Sequence, residues 1–150
     1  MGSGIGHQVA TEQRKYANRE SALNGMIRDT RVENKELRDT VATMKSVIER
    51  KEAQLNRLHA EVEAGQAAGD ALRKQLAIAK DYRETMATIL QKTRERQRVI
   101  AERVTRFRSE YGYTGSSALE AEAKAYKKSI DDMEEELRKH DEFLATAGQG

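Results

Sequence analysis

The sequence contains no cysteine, no proline and no tryptophan, and only 5% of its 150 residues are aromatic. Without cysteine there can be no disulfide, no zinc thiolate site and no thiol nucleophile. Without proline, no residue removes a backbone donor from a helix interior, so helices of any length are permitted. No apolar run approaches the ~20 residues that a membrane-spanning helix requires, and no signal peptide is visible. We therefore expect an intracellular protein without a membrane span, cytoplasmic or nuclear, with association to the cytoskeleton as one option.

Charged residues are abundant by contrast, at 35% of the chain against 37% for hydrophobic residues, while the formal net charge is only +2. This is too little apolar material for a compact core of ordinary depth. The abundant residues, Ala, Glu, Arg, Lys and Leu, are strong helix formers because they lose little rotamer freedom in a helix. The composition therefore predicts an elongated all-α protein.

A heptad pattern runs from Val9 to Tyr111 in one register, with a and d positions separated by alternating steps of three and four. Twenty of its thirty a and d positions are apolar. A strict 3.5-residue repeat of this length indicates a left-handed supercoil, and β-branched residues at a with leucine at d favour two parallel strands. We predict a parallel homodimeric coiled coil over residues 9–111, preceded by a tag or disordered segment over residues 1–8.

The predicted dimer seam includes one polar residue, Asn34, at an a position. Two such asparagines can pair across a dimer and penalise other registers; the alternative is a tolerated polar core residue. Gly65 and Gly69 leave two consecutive core layers without side chains, which indicates a hinge, a close backbone approach or a packing defect. The seam residues are Leu23, Ile27, Asn34, Leu37, Val41, Met44, Ile48, Leu55, Leu58, Val62, Leu72 and Leu76.

The first heptad series ends at a short break, and a second series follows it out of phase. Gly112 fits a left-handed helix terminator, and Ser117 fits an N-cap with Glu120 three residues later. Short connections join antiparallel neighbours. We predict a loop at 112–116, a second helix at 117–146 folded back as a helical hairpin, a disordered tail at 147–150, and a four-helix bundle in the dimer.

Two patterns support this hairpin. Residues 92–108 carry a local charge of +5, and five acidic residues between 131 and 136 would lie opposite their arginines. The apolar residues predicted to pack in the hairpin are Leu90, Ile100, Val104, Phe107, Leu119, Ala123, Tyr126, Ile130, Met133 and Leu137.

The three histidines are scattered, and no carboxylate pair lies in a plausible cleft. We therefore predict no catalytic residue, no cofactor and no metal site, and expect a non-enzymatic dimerisation and scaffold or spacer segment of a larger structural assembly. Cytoskeletal, centriolar and kinetochore assemblies are all compatible. The alternative is a rod that binds microtubules or nucleic acid through a basic helix flank at the e positions, which include Arg31, Arg38 and Lys45. That flank could also be merely solvated. The possible contacts of the rod with an acidic polymer such as a microtubule tail are Arg94, Arg96, Arg98, Arg103, Arg106 and Arg108.

Overall fold

The structure, a computed structural model, describes the backbone of residues 3–112 and 115–148, and the side chains of these ranges from residue 18 onward. It contains three α-helices, α1 (Ser3–Glu63), α2 (Gly69–Tyr111) and α3 (Ser117–Ala147), and no strand within the described ranges. The predicted all-α class is confirmed. Residues 1–2, 113–114 and 149–150, which belong to the predicted tag, loop and tail, lie outside the described residues.

The three helices pack side by side as an up-down-up bundle within one chain. On α1 and α3, Arg31 pairs with Glu122 and Glu52 pairs with His140, so these two helices run in the same direction. The polar contact from Asn34 to Glu122 agrees with this direction. On α2 and α3 the order is reversed, because Arg108 pairs with Glu120 while Arg83 pairs with Asp141. Thus α2 is antiparallel to both of its neighbours.

The core consists of three apolar clusters along the bundle axis. At one end, Leu23 packs with Val104, Phe107 and Leu119. At the other end, Leu55 packs with Ala79 and Leu144. Burial of such side chains contributes roughly 1.5–3 kcal/mol each, and it explains why the a and d positions are apolar. The central cluster comprises Leu37, Val41, Met44, Ile48, Met86, Leu90, Ile100, Tyr126, Ile130, Met133 and Leu137.

The continuous rod predicted over residues 9–111 is wrong, because α1 ends at Glu63 and the chain reverses through residues 64–68. Gly65 adopts a positive φ of 75°. Its amide donates to the Val62 carbonyl at 3.1 Å, and the Gln66 amide donates to the Glu61 carbonyl at 2.8 Å. These two bonds form a Schellman motif, which terminates a helix through a left-handed glycine. At its other end, α1 begins at Ser3, earlier than the predicted boundary at residue 9.

The residues predicted as a dimer seam lie inside the single-chain bundle. Seven of the twelve are buried, namely Leu23, Asn34, Leu37, Val41, Met44, Ile48 and Leu55. The other five, Ile27, Leu58, Val62, Leu72 and Leu76, are partly buried. A parallel homodimer through this seam requires the bundle to open, because the same side chains cannot face α2, α3 and a second copy at once.

The connection between α2 and α3 contains the second reversal. Gly112 terminates α2 with a φ of 84°, and its amide donates to the Arg108 carbonyl at 2.8 Å. The N-cap of α3 is Ser116, which is 2% exposed, rather than the predicted Ser117. Its carbonyl accepts the Glu120 amide at 2.9 Å, while the Glu120 carboxylate pairs with Arg108 instead of closing a capping box. No described helix has a stretch long and apolar enough to cross the bilayer.

Candidate functional site

The heptad flanks determine which side chains border each groove of the bundle. On α1 and α2, residues one position before a, the g positions, face each other across the α1–α2 groove, as Glu33 and Arg96 do. Residues one position after d, the e positions, face α3 from both sides, as Arg31 and Arg94 do. The third helix therefore covers the e flanks and leaves the g flanks uncovered.

An apolar groove lies between the middle of α1 and the middle of α2. It has a volume of about 380 Å³, and Tyr82 on its rim is 45% exposed. The Lys51 ammonium lies 4.8 Å from the centre of the Tyr82 ring, a cation–π contact at one end of the groove. Apart from Asp39 and three threonines, the lining is apolar. Its apolar members are Met44, Val47, Tyr82, Met86 and Ile89.

Polar side chains bridge α1 and α2 along the same groove toward the α2–α3 connection. Glu33 receives ion pairs from both Arg96 and Arg103, the latter at 3.3 Å. Arg103 also donates to the hydroxyl of the fully buried Thr30 at 2.8 Å, and that hydroxyl donates to the Met26 carbonyl at 2.7 Å. Because charge-assisted hydrogen bonds in a partly buried network strengthen one another, these side chains connect α1 firmly to α2 at this end of the groove.

The polymer-contact arginines predicted from the sequence are mostly engaged within the bundle. Arg94 pairs with Glu134 at 2.7 Å on α3, and Arg108 pairs with Glu120. Arg96 and Arg103 both pair with Glu33 on α1. The remaining two, Arg98 and Arg106, are exposed and make no ion pair within the described part of the chain. The structure therefore does not bring these six residues together as one free basic surface.

A different basic surface lies in the groove between α1 and α3. Arg38 and Lys45 on α1 and Lys128 on α3 line a depression of about 340 Å³, together with Asp132. None of the three cations forms an ion pair within the described ranges. Their charges are consequently available to an acidic partner, whereas four of the six arginines predicted on α2 are already paired.

Asn34 is 1% exposed and bonds across the α1–α3 interface instead of to a second copy. Its amide nitrogen donates to the Glu122 carbonyl at 3.0 Å and to the Glu122 carboxylate at 2.8 Å. Arg31 donates to the same carboxylate at 3.1 Å. The buried amide thus links the two parallel helices at one defined register, because a shift of either helix would leave the amide unpaired.

Two further polar contacts connect the helices toward the 64–68 loop. The buried His140 ring lies 3.1 Å from the Glu52 carboxylate. Arg83 donates to both oxygens of Asp141, at 2.6 and 2.9 Å, and these hydrogen bonds hold the pKa of Asp141 below its usual value.

Burial, reinforced by the Glu33 charge, raises the pKa of Tyr126 in the central cluster. Within the described residues, no three His, Asp or Glu side chains converge as metal ligands.

Comparison with protein-family models, with curated proteins and with solved structures finds no match to this chain. The two grooves described above are therefore the features of this chain that point to a function. Tyr82 and Ile89 occupy g positions of α2, and the structure places both beside α1 on the face that α3 leaves uncovered.

Proposed function

We propose that this chain is a non-enzymatic structural module that binds an apolar helix of another protein in the α1–α2 groove, and so joins components of a larger assembly. The observation that carries the proposal is the apolar groove in which Tyr82 is exposed and Val47 and Ile89 are half-buried, and to which α3 contributes no lining residue. An exposed apolar surface with a polar rim is typical of an interaction site. Aromatic anchors such as tyrosine contribute disproportionately to binding at such sites.

The dimensions and charges of the groove favour a helix as its occupant. From Thr40 to Val47 the lining extends two turns, or roughly 10 Å along α1. A docked amphipathic helix would insert two or three apolar side chains at i, i+3 or i+4, and i+7 over this length. Asp39 lies toward one end and Lys51 toward the other. This charge arrangement favours a partner helix with a basic residue near Asp39 and an acidic residue near Lys51.

The experiment compares partner capture by three forms of the chain. Tyr82→Glu places a charge in the groove, whereas Val99→Glu places the same charge at a site of nearly equal exposure, 43% against 45%, outside the groove. Both variants should keep the wild-type helical content. We expect a set of proteins captured by the wild type and by Val99→Glu that Tyr82→Glu fails to capture. Identical partner sets for all three forms would contradict the proposal.

A second candidate function is attachment to an acidic polymer such as microtubule tails, and the α1–α3 basic groove is the observation that favours it. Cosedimentation with microtubules should weaken with rising salt, because exposed charges are screened over ~10 Å at 0.1 M. Arg38→Glu combined with Lys45→Glu should abolish it, whereas Arg98→Glu combined with Arg106→Glu should change it little. If the α2 double variant abolishes cosedimentation and the α1 double variant changes it little, the polymer contact lies on the predicted arginines of α2.

A further inference from the structure

We propose that the chain exchanges α1 with a second copy of itself. In the resulting dimer, residues 64–68 become helical, α1 and α2 form one continuous helix, and α1 of each chain packs against α2 and α3 of the other. Every core contact of the closed bundle is retained, because only the connection between α1 and α2 changes. Such domain exchange is an established route to symmetric dimers. The two long helices run antiparallel, with a length of roughly 160 Å for residues 3–111 at ~1.5 Å per residue.

The first observation is that the heptad register continues across the 64–68 loop. Val62, Gly65, Gly69 and Leu72 keep the alternating steps of three and four, although the chain reverses direction between them. A loop that only reverses the chain does not require the heptad register of one helix to continue into the next. The other reversal shows this, because the α3 series beginning at Leu119 is out of phase with the α2 series. The heptad register has to continue across a segment only if that segment can also be helical. It continues across the 64–68 loop and not across the loop between α2 and α3.

The second observation is that little holds the loop in its closed conformation. Backbone hydrogen bonds to Val62 and Glu61 fix it, and no side chain of residues 64–68 makes a hydrogen bond within the described part of the chain. Ala68 is the N-cap of α2 and provides no side-chain cap. The segment AGQAA contains no proline, and Gly65 is its only residue with a positive φ.

The third observation is incomplete burial at the loop end of the bundle. The third helix ends at Ala147, beside the cluster of Leu55 and Leu144, so it does not cover the last turns of α1. Leu58 and Val62 consequently remain partly exposed. In the exchanged dimer, two continuous helices cross at this position. The small residues of the 64–68 segment permit the close approach that buries these side chains.

Gly65→Ala tests the proposal directly. Nothing lies within 4 Å of a Cβ at this position, so the substitution acts through the positive φ alone. Alanine disfavours the left-handed loop and favours the helix. Together these effects raise the equilibrium constant for opening of each chain about thirtyfold. Two hinges open per dimer, so the dimer dissociation constant from sedimentation equilibrium should tighten about a thousandfold. Gly25→Ala, inside α1, makes the same chemical change away from the hinge and should leave the constant unchanged.

Ala68→Pro tests the proposed exchange of α1 in the opposite direction, because it should weaken the dimer. Ala68 has φ −79° and ψ 145°, which proline adopts readily, so the closed bundle should keep its stability. In a continuous helix, proline at this position costs each chain over a hundredfold, which weakens the dimer about ten-thousandfold. A dissociation constant of Gly65→Ala within threefold of the wild-type value overturns the proposal. So does equal tightening by Gly25→Ala, or a dimer that tolerates Ala68→Pro.

Cross-linking separates exchange from side-by-side association. The chain has no cysteine of its own, so cysteines introduced at Arg31 and Glu122, whose side chains are in contact, are the only thiols. In the Gly65→Ala dimer, a short bismaleimide should join these cysteines between two chains and produce a covalent dimer on a denaturing gel. In the Ala68→Pro monomer it should join them within one chain. Intrachain cross-links in the Gly65→Ala dimer would refute the exchange of α1.

Discussion

The Asn34 amide offers the sharpest single-residue test of how α1 and α3 pack together. Asn34→Asp preserves the shape of the side chain but removes two hydrogen bonds to Glu122 and places a carboxylate against the Glu122 carboxylate at a site that is 1% exposed. The hydrogen bond to the carboxylate contributes roughly 1.5–3 kcal/mol, and the one to the backbone carbonyl about 1 kcal/mol. An uncompensated buried charge costs about 3–5 kcal/mol. We expect Asn34→Asp to lower the free energy of unfolding by at least about 3 kcal/mol.

The assay is urea unfolding followed by far-UV circular dichroism at neutral pH. Asn24→Asp, an exposed substitution on the same helix, is the matched control and should change the free energy by less than about 0.5 kcal/mol. Adding Glu122→Gln to Asn34→Asp removes the like-charge contact and supplies an amide donor to the new carboxylate. The double variant should therefore recover about 2 kcal/mol or more relative to the sum of the single changes.

Additive effects of Asn34→Asp and Glu122→Gln would refute the reasoning, because residues in direct contact must couple. The same result would revive the alternative in which Asn34 faces its own copy across a parallel dimer. In that arrangement Glu122 has no access to Asn34, and changing it cannot compensate for the buried charge.

Three further predictions concern stability. Phe107→Ala removes a fully buried ring and should cost about 3–5 kcal/mol in urea unfolding, whereas the exposed Val99→Ala should cost almost nothing. Hydrogen bonds from Arg83 lower the pKa of Asp141 below 3.8, so their stabilisation is present above that pH and is lost as the pH falls below it. Asp141→Asn should make the urea concentration at the unfolding midpoint less dependent on pH in this acidic range. Burial raises the pKa of Tyr126 above 10.0, so stability should decline as the pH rises beyond that value. Tyr126→Phe should remove part of that decline.

The helical periodicity of the sequence identifies the inward-facing residues but not the chain that they face. Ile100, Val104 and Phe107 all lie in the core, as their a and d positions indicate. The same 4-3 spacing serves equally well for a partner helix in another molecule and for a neighbour in the same molecule. The expectation of a two-stranded rod followed from that ambiguity, because the pattern by itself does not specify the source of the second and third helices.

The chain reversal at residues 64–68 could have been found from the sequence. Gly112 was interpreted as a left-handed helix terminator because the first heptad series ends just before it, and the structure gives it a φ of 84°. Gly65 has the same role with a φ of 75°. It was interpreted as a missing core layer because the heptad register continues beyond it. Local glycine chemistry and long-range periodicity conflict at this position, and in the closed bundle the glycine chemistry prevails.

The ion pairs of the candidate sites were less accessible to sequence reasoning. The acidic residues of the second helix were expected opposite Arg94, Arg96 and Arg98, and among the described side chains only the pair of Arg94 with Glu134 has this form. Arg96 instead reaches Glu33 on α1. Long side chains at g and e positions can select among several partners, and the choice depends on which helix occupies each flank. That information is available only once the topology is known.

The most direct test of the closed bundle is the distance between α1 and α3 in a single molecule. Fluorophores on cysteines at Lys35 and Lys124, both exposed, can be followed by single-molecule energy transfer at picomolar concentration, which disfavours dimers. The bundle predicts one population of high transfer efficiency, with the two backbones separated by roughly one helix diameter, about 10–12 Å. A continuous rod with only α3 folded back predicts a separation of about 100 Å, from some 67 residues at ~1.5 Å each, and almost no transfer. A single population of low efficiency would contradict the bundle.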